Sequence, residues 1–228
     1  MRLLGKLAIV TGATSGIGAA TARALAKEGA AVVGFGRRGA RGPIARPEAG
    51  QIAIAHLDIT DEDAVKARFA ELAAPDVVVC AAGSGVFAPI HTATVADLRA
   101  MLDTHVVGTF VCVREALRRM QPERRGHIVA IASVAADRAF PECGGYTAAK
   151  AGQRGLMRVL AEEARPYDIR VTTVQAGATD TPIWDDRPGF DRTKMLRPDD
   201  IAGMIVALVA RPAIAVEELT VMPPAGAL

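Results

Sequence analysis

Apolar residues in this chain fall into short, nearly unbroken runs separated by longer stretches in which they recur every three or four positions. The runs are Leu7–Val10, Ala31–Phe35, Ile52–Leu57, Val77–Cys80, Ile128–Ala132, Arg170–Val174 and Leu219–Met222. Most are apolar at successive rather than alternate positions, which predicts strands buried on both faces of a parallel sheet. The periodic stretches, Gly16–Glu28, Asp61–Leu72, Val95–Met120, Tyr146–Glu163 and Asp199–Ala210, predict helices. Strand and helix alternate without a break, so the expected fold is a doubly wound α/β domain with a parallel sheet of about seven strands, occupying residues 1–228 as a single unit. Residues 38–50 interrupt the pattern with three Gly, two Pro and three Arg where a crossover helix would stand, and read as a loop.

Composition narrows the function classes. The 27 basic and 25 acidic side chains leave a net charge of +2, without the basic excess by which proteins hold nucleic-acid phosphates. Only 4% of residues are aromatic, too few for a base-stacking surface. Cys80, Cys112 and Cys143 are odd in number and far apart, which fits neither a disulfide framework nor a paired-Cys metal site and points to a reducing compartment. The four histidines, His56, His91, His105 and His127, have no metal-ligand spacing, so no metal is expected. Leu7–Val10 is too short for the apolar core of a secretory signal, and the uncharged stretch from Val77 to Ala96 contains Gly83, Gly85 and Pro89 instead of a membrane span. A cytoplasmic location and no membrane partner follow as expectations.

The chemistry starts at the first strand's end. Thr11-Gly12-Ala13-Thr14-Ser15-Gly16-Ile17-Gly18 joins that strand to the first helix, where glycines let the backbone turn tightly and approach a pyrophosphate at the helix N-terminus. Gly12, Thr14, Ser15, Gly16, Ile17 and Gly18 are therefore candidate cofactor-binding residues. After the second strand the chain reads Phe35-Gly36-Arg37-Arg38, with no carboxylate to grip a free ribose 2′-hydroxyl and two guanidinium groups suited to a 2′-phosphate. NADP(H) is the expected cofactor, with NAD second.

Tyr146 and Lys150 are four residues apart at the start of a helix and share one face. Ser133 ends an apolar strand at the carboxyl edge of the sheet, where open α/β folds bind ligands. A phenol with an ordinary pKa of about 10 needs adjacent positive charge to exchange protons near neutrality, and a lysine one turn away supplies it. The three form a candidate catalytic set.

With Asp58 after the third strand and Ala81-Ala82-Gly83 after the fourth, these motifs make the chain resemble a short-chain dehydrogenase/reductase of the compact single-domain branch, a Rossmann fold, over nearly its whole length. The resemblance implies an enzyme that passes hydride between a nicotinamide and a carbonyl or secondary alcohol. Ser133 would hold the substrate oxygen, Tyr146 would transfer the proton, and Lys150 would lower the Tyr pKa and bind the nicotinamide ribose. Asp58 and Ile59 would contact adenine, Cys80, Ala81, Ala82 and Gly83 would line the cofactor, and Gly177, Thr179 and Thr181 would lie on its carboxamide side. Family members commonly pair through their fourth and fifth helices, which implies a homodimer or homotetramer acting on a small molecule.

The chain departs from the family pattern at His105, where a relay Asn is usual, at Cys80, another usual Asn, and at Ala176-Gly177, usually Pro-Gly. A mobile substrate loop is expected at about 182–198, carrying Trp184, Asp185, Asp186, Arg187 and Phe190. Ser84, Val86, Phe87, Ala135, Arg138, Phe140 and Cys143 are candidates for the same pocket. His105 supports one alternative, a catalytically weak dinucleotide-binding regulatory protein. An extended epimerase would need more chain after Lys150, and an enoyl reductase a wider Tyr–Lys spacing.

Overall fold

The computed structural model describes residues 1–226; Ala227 and Leu228, the end of the expected domain, lie outside the described residues. Seven strands form one parallel sheet: β1 (Leu7–Thr11), β2 (Ala31–Gly36), β3 (Ile52–His56), β4 (Val77–Cys80), β5 (Gly126–Ser133), β6 (Ile169–Ala176) and β7 (Glu218–Val221). Their spatial order is β3-β2-β1-β4-β5-β6-β7, so the winding reverses between β1 and β4. At such a switch point the loops leaving the carboxyl ends diverge and open a crevice.

The strands β1 to β6 split their side chains between two cores, which is why the runs are apolar at successive positions. Ile9, Val33 and Val78 face one layer with Phe69, Cys112, Met120 and Met157, while Ala8, Val10, Val32 and Val79 face the other with Leu25, Ile201 and Ile205. The first layer holds the helices α2 (Glu62–Ala70), α4 (Thr109–Met120) and α5 (Gly144–Ala164), and the second holds α1 (Gly16–Lys27) and α6 (Pro198–Val209). Helix starts follow the local chemistry: the Asp61 carboxylate accepts from the Ala64 amide at 2.9 Å to cap α2, and Pro198 opens α6 where a missing N–H costs nothing.

One expected element divides. The helix predicted over Val95–Met120 consists of α3 (Val95–Leu102), a π-helical segment Asp103–Gly108, and α4. The π turn admits an extra residue without breaking the apolar stripe, and it buries His105 at 1% exposure. Residues 38–50 form no helix, as expected, and are tied to the sheet edge by a bridge between Ala40 and Ala55.

Candidate active site

Loops from the carboxyl ends of the strands enclose a cleft of about 1230 Å³. At one end lies the turn between β1 and α1. Gly12, at φ +70°, runs so close to the β4 loop that a Cβ there would stand 2.7 Å from the Ala81 backbone, and a Cβ on Gly18 would stand 2.3 Å from the Gly12 carbonyl. Only glycine permits that closeness. Ser15 precedes helix α1 at the N-cap position but makes no side-chain capping bond, and the first turn carries no acidic residue. Its free N–H groups and positive dipole end thus meet the cleft uncompensated, a donor set that fits a pyrophosphate. Thr14, Ser15, Gly16 and Ile17 line the cleft, whereas Gly18 stays behind the wall as packing.

Arg37 and Arg38 line the same end. Arg38 donates from Nη2 to the Thr14 carbonyl at 3.3 Å and lies close to Thr14 Oγ1 at 3.4 Å, which holds it against the β1–α1 turn. Asp58 and Ile59 also line the cleft, with Asp58 near Arg37. Burial pushes the Asp58 carboxyl up, but hydrogen bonds from Thr60 N and Oγ1 and the nearby Arg37 charge leave it below its ordinary value. Ala81, Ala82 and Gly83 border the centre; Cys80 does not, being buried beneath them with its thiol pushed up to about 12 by desolvation.

Ser133, Tyr146 and Lys150 converge on the middle of the cleft. Ser133 ends β5 opposite Ala176 of β6, and its Oγ accepts from the Ala135 amide at 3.1 Å, which fixes the side chain. Tyr146 lies in the first turn of α5 with the Lys150 ammonium 5.8 Å from its ring centre. Desolvation holds the Tyr146 phenol up at about 12, while a hydrogen bond from Ser133 pulls it down.

Lys150 is 4% exposed and desolvation lowers its pKa to about 7. Its Nζ donates to the Ile131 carbonyl at 2.8 Å and to Gln153 Oε1 at 3.0 Å, and Gln153 Nε2 donates onward to Thr109 Oγ1 at 2.9 Å. Gln153 was not singled out from the sequence. Its amide is fully buried one turn beyond Lys150.

The depressed lysine has a stability consequence. Below its folded pKa of about 7 the amine is protonated in both states; above that and below the ordinary lysine value, only the unfolded chain carries the proton. Stability therefore rises with pH through this window, by at most about 1.4 kcal/mol per pH unit from this group. Urea titrations of wild type and Lys150→Met across the window are expected to differ in slope with that sign. Parallel slopes would contradict a depressed Lys150.

His105 Nε2 lies 2.6 Å from the Ser84 carbonyl, so it carries the proton as donor, and Nδ1 has no partner among the described residues. Burial and the Lys150 charge lower its pKa to about 3, leaving a neutral ring edge-on to Tyr146 at 5.6 Å between centres. Lys150 is hydrogen-bonded to Gln153 and Ile131, not to His105.

After β6, Gly177, Thr179 and Thr181 also line the cleft, and Thr181 packs over the β1–α1 turn with Cγ2 3.0 Å from where a Gly16 Cβ would stand. Residues 182–198 carry two short 3₁₀ turns. They are held by Trp184 Nε1 donating to the Thr179 carbonyl at 2.9 Å and by Arg192 donating to Asp180 at 2.6 Å and Asp185 at 2.8 Å. Of the residues expected at the substrate end, Ser84, Phe87, Ala135, Phe140, Cys143, Trp184, Arg187 and Phe190 line the cleft; Val86, Arg138, Asp185 and Asp186 do not. Among the described residues no three His, Cys, Asp or Glu side chains gather as a metal-binding group, and no helix is long and apolar enough to cross a membrane.

A family model described as short chain dehydrogenase matches residues 6–189. Over 223 residues the chain is 38% identical to cis-4-hydroxycyclohexanecarboxylate dehydrogenase of Sinomonas cyclohexanicum, covering 90% of this chain and 89% of that one. It is 37% identical over 199 residues to 3beta-hydroxysteroid dehydrogenase of Mediterraneibacter gnavus, covering 83% and 72%. Among solved structures, an alcohol dehydrogenase from the archaeon Thermococcus sibiricus complexed with 5-hydroxy-NADP superposes with a TM-score of 0.84 at 27% identity, covering 96% of this chain and 97% of that one.

Proposed function

The chain belongs to the short-chain dehydrogenase/reductase family of oxidoreductases, and from that premise we propose that it interconverts a secondary alcohol and its ketone using NADP(H), with Tyr146 as general acid and base. The observation that carries this reading is the meeting of Ser133, Tyr146 and Lys150 in the same cleft as the uncapped α1 turn and the Arg37–Arg38 pair. The dinucleotide, when bound, supplies the hydride donor or acceptor. The residues that would hold it are Gly12 to Ile17 at the pyrophosphate, Arg37 and Arg38 at a 2′-phosphate, Asp58 and Ile59 at the adenine, Ala81 to Gly83 along the middle, and Gly177, Thr179 and Thr181 near the carboxamide.

In this reading the Ser133 hydroxyl donates to the substrate oxygen and orients it toward Tyr146. The phenol gives its proton to that oxygen in reduction and takes it back in oxidation. The Lys150 ammonium stabilises the phenolate during transfer, and its protonated fraction sets how far the phenol is drawn down from its buried value of about 12. Gln153 acts as a positioning residue by holding the ammonium. Gln153→Leu removes one acceptor from Lys150, so the amine loses its proton more easily. The alkaline limb of the pH–rate profile is then expected to move to lower pH with a reduced kcat; a profile unchanged in position would confine Gln153 to packing.

The two relatives' names describe ring-bearing alcohols, which supports an alicyclic secondary alcohol as the substrate. Exposed Val107, Phe110 and Val159 around the π segment, α4 and α5 support pairing of two copies through this side, and three free buried cysteines accord with a reducing cytosol. Nicotinamide absorbance measured against cyclic secondary alcohols and ketones tests the reading. Tight dinucleotide binding without turnover of any of them would favour the regulatory alternative that His105 first suggested.

A further inference from the structure

The cations lining the cleft, among the described residues, are Arg37 and Arg38 at the phosphate end, Lys150 behind the phenol, and Arg187. Arg187 is thus the cation of the substrate end, and its setting is unusual. Its guanidinium carbon stands 4.2 Å from the Phe87 ring centre, 4.8 Å from Phe190 and 5.6 Å from Trp184, with the side chain only 16% exposed. Three aromatic rings surround and attract the cation, and Glu142 is the one carboxylate hydrogen-bonded to its N–H groups among the described residues. A guanidinium so withdrawn from water is costly unless an anion meets it.

The anion present is Glu142, whose Oε2 lies 3.3 Å from Arg187 Nη2 while its own side chain is 48% exposed. Glu142 has a φ of +65°, the left-handed region that a residue with a Cβ rarely adopts, and its carbonyl is tied to the Ala88 amide at 2.9 Å. A strained loop therefore keeps a loosely attached carboxylate beside the stacked guanidinium. The pair is not required to pin the substrate loop, because Trp184 and Arg192 already fasten it to Thr179, Asp180 and Thr181.

Resting on the oxidoreductase reading above, we propose that the substrate is an alicyclic or aromatic hydroxy acid, or the matching oxo acid, whose carboxylate displaces Glu142 and docks on Arg187. The Phe87 ring lies 5.4 Å from the Tyr146 ring and 4.2 Å from the Arg187 guanidinium carbon, so one aromatic ring packs against both the proposed proton donor and the proposed anion site. A substrate one six-membered ring long, with its hydroxyl at Tyr146 and Ser133, would bring a carboxylate at the opposite end toward Arg187. Its apolar body would lie against Phe87, Trp184 and Phe190, while the planar guanidinium is shaped to grip both carboxylate oxygens.

The test uses unreactive probes, so that binding is read apart from turnover. Calorimetric titration of the NADP⁺-loaded protein with cyclohexanecarboxylate and with cyclohexanecarboxamide is expected to show the acid binding about tenfold to a hundredfold more tightly. Arg187→Met is expected to collapse that acid-to-amide ratio. Glu142→Gln, at an exposed position, is expected to raise it by removing the competing carboxylate. Equal affinities for acid and amide in the wild type, or a ratio that both substitutions leave in place, would overturn the assignment. Turnover of neutral cyclic alcohols with no preference for their acid counterparts would sink the Arg187 site and spare the oxidoreductase reading. Acid binding governed by Arg187, without oxidation of any hydroxy acid, would do the reverse.

Discussion

Tyr146→Phe is expected to lower turnover by about 10²–10⁴-fold, the usual contribution of a positioned general acid and base, while dinucleotide affinity persists. The substitution removes one oxygen and keeps the ring, which packs 5.4 Å from Phe87 and 5.6 Å from His105 between centres. Those contacts survive, so the fold and the first turn of α5 are expected to stay in place. In the proposed mechanism the loss is confined to one proton: without the phenol, the Lys150 ammonium would have no phenolate to stabilise and the substrate oxygen no donor besides Ser133. Single-turnover rates with cofactor bound, alongside a cofactor titration, measure both halves. A purified variant keeping more than half the parent's rate would remove Tyr146 from the mechanism.

What the sequence discloses of this arrangement depends on how local the determinants are. The strands were readable because a parallel sheet covered on both faces demands apolar residues at every position, as in Val77–Cys80, and the phosphate turn was readable because Gly12 and Gly18 answer to a backbone approach that admits no Cβ. The family likeness then carried Ser133, Tyr146 and Lys150, and the structure brings these together in one cleft. The π segment around His105 was hidden because one extra residue in a turn leaves the hydrophobic period almost unaltered. Gln153 was hidden for another reason: nothing along the chain signals that Thr109, on a neighbouring helix, will face it. The aromatic surround of Arg187 joins Trp184 and Phe190 to Phe87 from a distant loop, a juxtaposition that only the packed sheet edge creates. The resemblance therefore placed Arg187 in a substrate loop, without the three rings that the fold packs around it.

Cofactor choice offers the second large effect. At the end of β2 no carboxylate stands at Gly36 to bind an unphosphorylated ribose, and Arg37 and Arg38 border the cleft instead, Arg38 braced on Thr14 beside the phosphate turn. A hydrogen bond to a charged group contributes roughly 1.5–3 kcal/mol, and exposure to solvent screens part of it. The wild type is therefore expected to bind NADPH about tenfold to a hundredfold more tightly than NADH. The double variant Arg37→Ala with Arg38→Ala is expected to close most of that gap by weakening NADPH, since NADH lacks the 2′-phosphate that the guanidinium groups address. Added salt distinguishes this electrostatic origin from altered packing: screening weakens the NADPH complex of the wild type more than its NADH complex, and the difference vanishes in the double variant. Calorimetric titration of both cofactors at two ionic strengths reads all of these. Tighter binding of NADH by the wild type would return the two arginines to the role of solvated loop charges.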